Sequence, residues 1–187
     1  ERGSYEEALE LYPFVTNLLV PDIAFQLGPY QRMSTPQSEA MQLDLLMFLR
    51  GDKESTLANV RSDAAVRAML SDLPGGSDLR FRIVDWNDRL AIFDTNDYFF
   101  TNTSIQLLSL GRVVVCDRLH AAILCYLSGI PFVYIDQMTG KISRTLGVAL
   151  EGCAGPAASG YARAQDLPEA LRLALGFLQG RDLAAEQ

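Results

Sequence analysis

The chain has 187 residues, of which 49% are hydrophobic, and a formal net charge of −7 at pH 7. That apolar content fills a substantial core and excludes disorder by composition. The acidic balance excludes broad binding to nucleic acid or anionic membranes, so any anion site must be local.

Taken in chain order, Tyr5–Leu11 reads as a short helix and Phe14–Val20 as a strand ending at Pro21-Asp22, with Ile23–Gly28 running on into a turn. Residues 28–39 are turn-rich and lack apolar periodicity, as a linker would. Leu43–Leu49 is a short apolar run expected to be a buried strand. Ser62–Leu73 places Ala65, Val66, Met69, Leu70 and Leu73 at helical spacing, and Pro74-Gly-Gly ends it. Phe81–Asp85 reads as the next strand, Asn96–Leu110 as a helix stopped by Gly111, and Val113–Cys116 as a strand covered on both faces. Ala121–Leu127 is apolar on nearly every side and should be a buried helix. Gly129–Asp136 supplies a stop and another strand, and after a Gly- and Ala-rich coil Asp166–Leu178 is an amphipathic helix with Pro168 and Glu169 in its first turn. Strands alternating with helices give an α/β fold: a Rossmann-like, mainly parallel sheet flanked by helices.

In open parallel sheets ligands bind outside the carboxyl ends of the strands. Three polar clusters fall at such ends: Arg50–Glu54, Asp117–His120 and Asp136–Lys141. The second raises a physical question, because a helix N-terminus favours negative charge and Arg118 sits at one. Either Asp117 answers it as local partner and N-cap, or Arg118 and the helix amides receive a phosphate or carboxylate beside His120. Arg118 and His120 lie about 200° apart on an ideal helix, so both face one ligand only if the turn into the helix is irregular. Trp86 beside Asp85 is a further residue at a strand end. Asp52 and Glu54 read as a cap and local ion pairs, and Tyr98, Phe99 and Phe100 as core.

Other chemistries lack their residues. There is no Gly-rich dinucleotide or P-loop pattern, and Ser104 and Ser128 lack a nucleophile-elbow context. The single histidine excludes a histidine-rich metal site, and no metal is expected. Cys116, Cys125 and Cys153 have neither metal-ligand nor disulfide spacing, so buried thiols are expected. No apolar run of about eighteen residues and no signal-peptide pattern occurs, so this chain is not expected to insert into a membrane.

Val114-Val-Cys-Asp-Arg-Leu-His-Ala-Ala-Ile-Leu124, Ser128-Gly-Ile-Pro-Phe-Val-Tyr-Ile-Asp136 and Gly140-Lys-Ile142 closely resemble the C-terminal region of the polysaccharide pyruvyl transferase family. Pro21-Asp-Ile-Ala-Phe25 and Leu49-Arg-Gly-Asp-Lys-Glu54 are similar to its interdomain segment and its arginine-acid motif. The resemblance runs from about residue 20 to 150. It implies one half of a GT-B-like two-domain architecture and transfer of pyruvate from phosphoenolpyruvate to two sugar hydroxyls, giving a cyclic ketal and phosphate. It implies no cofactor; the partners are phosphoenolpyruvate and a sugar or glycan acceptor. The family's arginine and histidine carry over to Arg118 and His120 as catalytic residues, with Arg50 and Lys141 joining them in substrate binding. Residues 1–28 are then the end of an N-terminal domain largely outside this chain, 29–42 a linker, and 43–187 the C-terminal donor-binding domain. The expected compartment is cytoplasmic for a bacterial protein, which is preferred, and the Golgi lumen for a eukaryotic one. A glycosyltransferase using a nucleotide sugar and a non-catalytic relative in a glycan pathway are the alternatives.

Overall fold

The computed structural model describes residues 2–30, 32, 42–52, 55, 57, 59–85, 97–150 and 160–180. Its sheet has five strands, β1 (Leu43–Phe48), β2 (Phe81–Val84), β3 (Gly111–Cys116), β4 (Phe132–Ile135) and β5 (Tyr161–Ala164). All pairings are parallel and the strand order is β2-β1-β3-β4-β5. The helices are α1 (Arg2–Leu11), α2 (Asp63–Ser71), α3 (Asp97–Ser109), α4 (Leu119–Leu127), α5 (Lys141–Leu150) and α6 (Leu167–Leu178), with a 3-10 helix at Ile23–Leu27.

The strand order explains the layers. The chain steps outward from β1 to β2, then returns past β1 to β3 and continues to β5, so right-handed crossovers put α2 on one face and α3, α4 and α5 on the other. Alternate residues of β1 serve the two faces accordingly. Leu45, Met47 and Leu49 pack with Val66 and Leu70 of α2 and Leu171 and Ala174 of α6. Leu46 and Phe48 pack with Ile105 of α3, Ala121 and Cys125 of α4, and Ile142 and Leu146 of α5. Helix α6 returns beneath the sheet and completes the first face, so both faces are covered, as the continuous apolar runs of β1 and β3 require. Gly111 is fixed by this stacking: a Cβ there would lie 2.7 Å from Leu46 Cβ.

Helix ends follow local chemistry. Ser62 caps α2 by accepting from the Ala65 amide, and Asp166 caps α6 by accepting from the Glu169 amide at 2.9 Å. Helix α4 closes with Gly129 at φ 64°, where the Ile130 amide donates to Cys125 O and the Gly129 amide to Tyr126 O, a Schellman turn. Pro131 follows, and the chain enters β4.

Three expectations are corrected. Phe14–Val20 is not a strand: no sheet pairing reaches it, and Phe14, Val15, Leu18 and Val20 are exposed. Ile23–Leu27 is a 3-10 helix whose N-cap, Asp22, accepts from the Ala24 amide at 2.9 Å. Between the polar cluster at Asp136–Lys141 and Asp166, where no helix or strand is expected, the described residues hold α5 and β5. Strand β5 is a four-residue edge strand with Arg163 in it, and α5 begins inside the polar cluster itself. Residues 23–30 dock on α4, with Phe25 edge-on to Tyr126 and the Tyr30 amide donating to Leu127 O. Most of the expected linker 29–42, together with Lys53, Glu54, Trp86, Cys153 and the side chains of Tyr98, Phe99 and Phe100, lies outside the described residues.

Candidate functional site

The order β2-β1-β3 places a reversal of winding between β1 and β3, where the crossover helices leave on opposite faces and a crevice opens at the strand ends. A cleft of about 760 Å³ lies there, lined among others by Arg50, Asp117, Arg118, His120, Gln137 and Lys141. The structure thus brings all four candidates, Arg50, Arg118, His120 and Lys141, to one cleft. They arrive from the ends of β1, β3 and β4.

Two buried aspartates tie the strand ends together beneath this rim. Asp85, at the end of β2 and 1% exposed, takes Arg118 on both oxygens, Nε to Oδ1 at 3.0 Å and Nη2 to Oδ1 and Oδ2 at 2.7 and 2.8 Å. The same carboxylate accepts from the Gly51 amide at 2.8 Å. Asp117, at the end of β3 and 2% exposed, accepts from the Arg50 amide and from Gln137 Nε2, each at 2.8 Å. Between them these carboxylates tie together the carboxyl ends of β1, β2, β3 and β4. Asp52 bridges the two guanidinium groups, receiving Arg50 Nε and Nη2 at 2.8 and 2.9 Å and Arg118 Nη2 at 3.2 Å.

The local reading of Asp117 is therefore corrected. Arg118, not Asp117, occupies the N-cap of α4, in extended backbone at φ −107° and ψ 126°, and makes no side-chain cap bond. Its carboxylate partners come from β2 and from the β1 exit, which relieves the unfavourable cation at a helix start. Because Arg118 stands before the first helical residue, the angular objection to a shared ligand disappears: the turn is irregular, and both Arg118 and His120 line the cleft. The first amides of α4 are left without a side-chain cap at the cleft wall.

Burial pushes the Asp117 carboxyl up to about 6, against the pull of the Arg50 amide and the Arg118 and Arg50 guanidiniums and with a smaller upward push from Asp85. His120 is 64% exposed, with Nε2 3.8 Å from Oδ1 of Asp22, the N-cap of the 3-10 helix. Lys141 is exposed at the first position of α5. That helix is capped by Asp136, which accepts from the Ile142 and Ser143 amides at 3.0 and 3.3 Å. Met138, 93% exposed, forms part of the lip.

Sequence reasoning did not single out Asp85, Gln137 or Asp22. The first two carried the signal used for the others, a polar residue just past a strand; Asp22 reaches the site only through tertiary packing. Among the described residues no group of three or more His, Cys, Asp or Glu side chains is arranged for a metal ion, and no helix is long and apolar enough to cross a membrane.

Residues 1–137 match the sequence profile of the polysaccharide pyruvyl transferase family. The chain belongs to that family. The match spans the ends of β1, β2, β3 and β4, including Arg50, Asp85, Arg118 and His120, and stops before Lys141. Pyruvyl transferase 1 of Schizosaccharomyces pombe is 30% identical to the chain over 165 residues, which covers 82% of the chain and 39% of that relative. This member of the polysaccharide pyruvyl transferase family thus spans about two fifths of the length of the curated relative it matches.

Proposed function

We propose that the protein containing this chain transfers pyruvate from phosphoenolpyruvate to two hydroxyls of a sugar in a polysaccharide or its precursor, forming a cyclic ketal and releasing phosphate. The observation supporting this reading most directly is the convergence of Arg50, Arg118, His120 and Lys141 on one cleft at the sheet's reversal point, in a chain of the pyruvyl transferase family. Phosphoenolpyruvate carries a carboxylate and a phosphate on a three-carbon frame. Guanidinium forks match either group, and uncapped helix amides add donors of the right sign.

In the proposed chemistry, C3 of the donor takes a proton and becomes a methyl group, leaving positive charge at C2. One sugar hydroxyl attacks C2 and loses its proton, the C2–O bond to phosphate breaks, and the second hydroxyl closes the ring with loss of its own proton. The net reaction is donor plus diol giving ketal plus phosphate, with no cofactor. Arg118 and Arg50 hold the donor, Lys141 contacts its phosphate, and His120, exposed at the cleft mouth, moves protons between hydroxyl, donor and solvent. Residues 43–187 form the donor-side domain of a GT-B-like pair. Residues 1–28 belong to the N-terminal partner, which contributes the acceptor site.

The test is phosphate release from phosphoenolpyruvate by the full-length protein over a panel of oligosaccharide acceptors, with the product examined by NMR for a ketal methyl group. His120→Gln is expected to lower kcat by about 10²–10⁴ while leaving folding intact, since the side chain is largely exposed. Release of nucleoside diphosphate from a nucleotide sugar, with none of phosphate from phosphoenolpyruvate, would instead identify a glycosyltransferase.

A further inference from the structure

We propose that Asp85 is a positioning residue for Arg118: from the end of β2 it fixes the guanidinium in one orientation, so that a single corner of the fork is offered to the anionic donor. The inference rests on the reading of the cleft as a donor site, but its geometric part stands apart from any ligand.

A guanidinium has five N–H donors on three nitrogens in a rigid plane, so two bonded nitrogens determine where the third points. Asp85 takes Nε and Nη2 of Arg118 together, and Asp52 takes a further contact from Nη2. Among the described residues Nη1 has no hydrogen-bond partner, and Arg118 lines the cleft. The plane is thus held along one edge and open at one corner. An unheld arginine at a helix start would lose several rotatable bonds of freedom when it gripped a ligand, and a held one has already lost them.

Stability alone explains the pair poorly. A carboxylate 1% exposed has given up its hydration, and a buried ion pair is often no more stabilising than apolar residues of similar volume. The anchor is itself anchored, since Asp85 accepts from the Gly51 amide, and Gly51 directly follows Arg50. One carboxylate therefore sets the aim of Arg118 and the path of the backbone next to Arg50, the two guanidiniums proposed for the donor. It does so from β2, the strand that contributes none of the cleft-lining residues given above.

The experiment uses the 187-residue chain with Asp85→Asn, which keeps shape and removes charge, and Arg118→Lys, which keeps charge and removes the fork. The first readout is the Arg118 Nε–H signal in ¹⁵N-resolved NMR, identified by its loss in Arg118→Lys. It is expected to be single and slowly exchanging in the native chain and to exchange about tenfold faster or more in Asp85→Asn. The second is calorimetric affinity for phosphoenolpyruvate, expected to fall about tenfold in Asp85→Asn but to change less than about twofold when the same substitution is made in Arg118→Lys. If Asp85→Asn does not fold, Asp85→Glu replaces it; there the Nε–H stays slow while affinity falls, because the longer arm displaces the fork. A rapidly exchanging, averaged Nε–H in the native chain, or unchanged affinity in the Asp85 variant, overturns the proposal. A held Nε–H released by Asp85→Asn, in a chain that binds no phosphoenolpyruvate, sustains the positioning role and removes the donor reading.

Discussion

At the scale of single residues, the two buried aspartates at the strand ends have different partners: Asp117 accepts from an amide and a glutamine, Asp85 from a guanidinium. Asp117 has a folded-state pKa of about 6, above the usual carboxylate value near 4, so between those values the folded chain binds more protons than the unfolded one. Its contribution to stability is therefore fully present below about pH 4 and is lost as pH rises through about 6. Asp117→Asn removes this dependence: the new amide oxygen accepts from the Arg50 amide, and Gln137 turns its own oxygen to the new NH₂. Denaturant titrations are expected to find this variant about 1–3 kcal/mol more stable than the native chain at pH 8, with the gap closing by pH 4. A variant less stable at pH 8 would mean that the carboxylate is better paired than buried. Asp85 is satisfied by a guanidinium, so the damage comes from removing its partner. Arg118→Ala should cost about 3–5 kcal/mol by the same titration, because it removes the bidentate guanidinium from a carboxylate that is 1% exposed. The sequence made Arg118 conspicuous as a cation at a helix start, and the need for an acidic answer was legible with it. The identity of that answer was not, because Asp85 lies 33 positions away and becomes a neighbour only when β1, β2 and β3 line up.

Among elements, those with strong local signals were legible and those made by context were not. Helices α2, α4 and α6 each carry an apolar stripe or an apolar run bounded by a cap or a glycine, and the sequence placed them within a few residues. The stop after α4 was readable in Gly129, which adopts the left-handed backbone of a Schellman turn with open space where a Cβ would go. Gly129→Ala should accordingly lower stability by about 1–2 kcal/mol, through backbone strain alone, with donor affinity unchanged; calorimetric melting checks the first and titration the second. Asp166→Ala should cost about 1 kcal/mol in the same melts, by freeing the Glu169 amide at the start of α6. Phe14–Val20 misled because β-rich composition was taken for pairing. A strand needs an edge to join, and no described strand presents one there. Strand β5 failed in the opposite sense: Tyr161-Ala-Arg-Ala has little β-signal of its own and is a strand because β4 offers it a ladder.

For the whole molecule, the doubly wound sheet was legible from alternating strands and helices, whereas the strand order that creates the cleft was not, since local patterns say nothing about which strand β3 joins. The three polar clusters nonetheless meet at one rim, because strand polarity alone fixes which end of a parallel sheet they share. No residue of α1 is buried, and the apolar side chains from Leu11 to Val20 are largely exposed, so the folded unit owes little to them. Deleting residues 1–20 should therefore leave the melting temperature within about 3 °C of the intact chain. Cys116 and Cys125 are buried free thiols whose ionisation burial pushes up, and both should resist thiol reagents until the chain unfolds. The proposed binding of phosphoenolpyruvate in the cleft between β1 and β3 is tested most directly by calorimetric titration of the chain with that compound beside an Arg118→Lys control and a panel of nucleotide sugars. Saturable binding to phosphoenolpyruvate that weakens about tenfold or more in the control is the predicted result. Clear nucleotide-sugar binding in the same cleft, with no response to phosphoenolpyruvate, would contradict it.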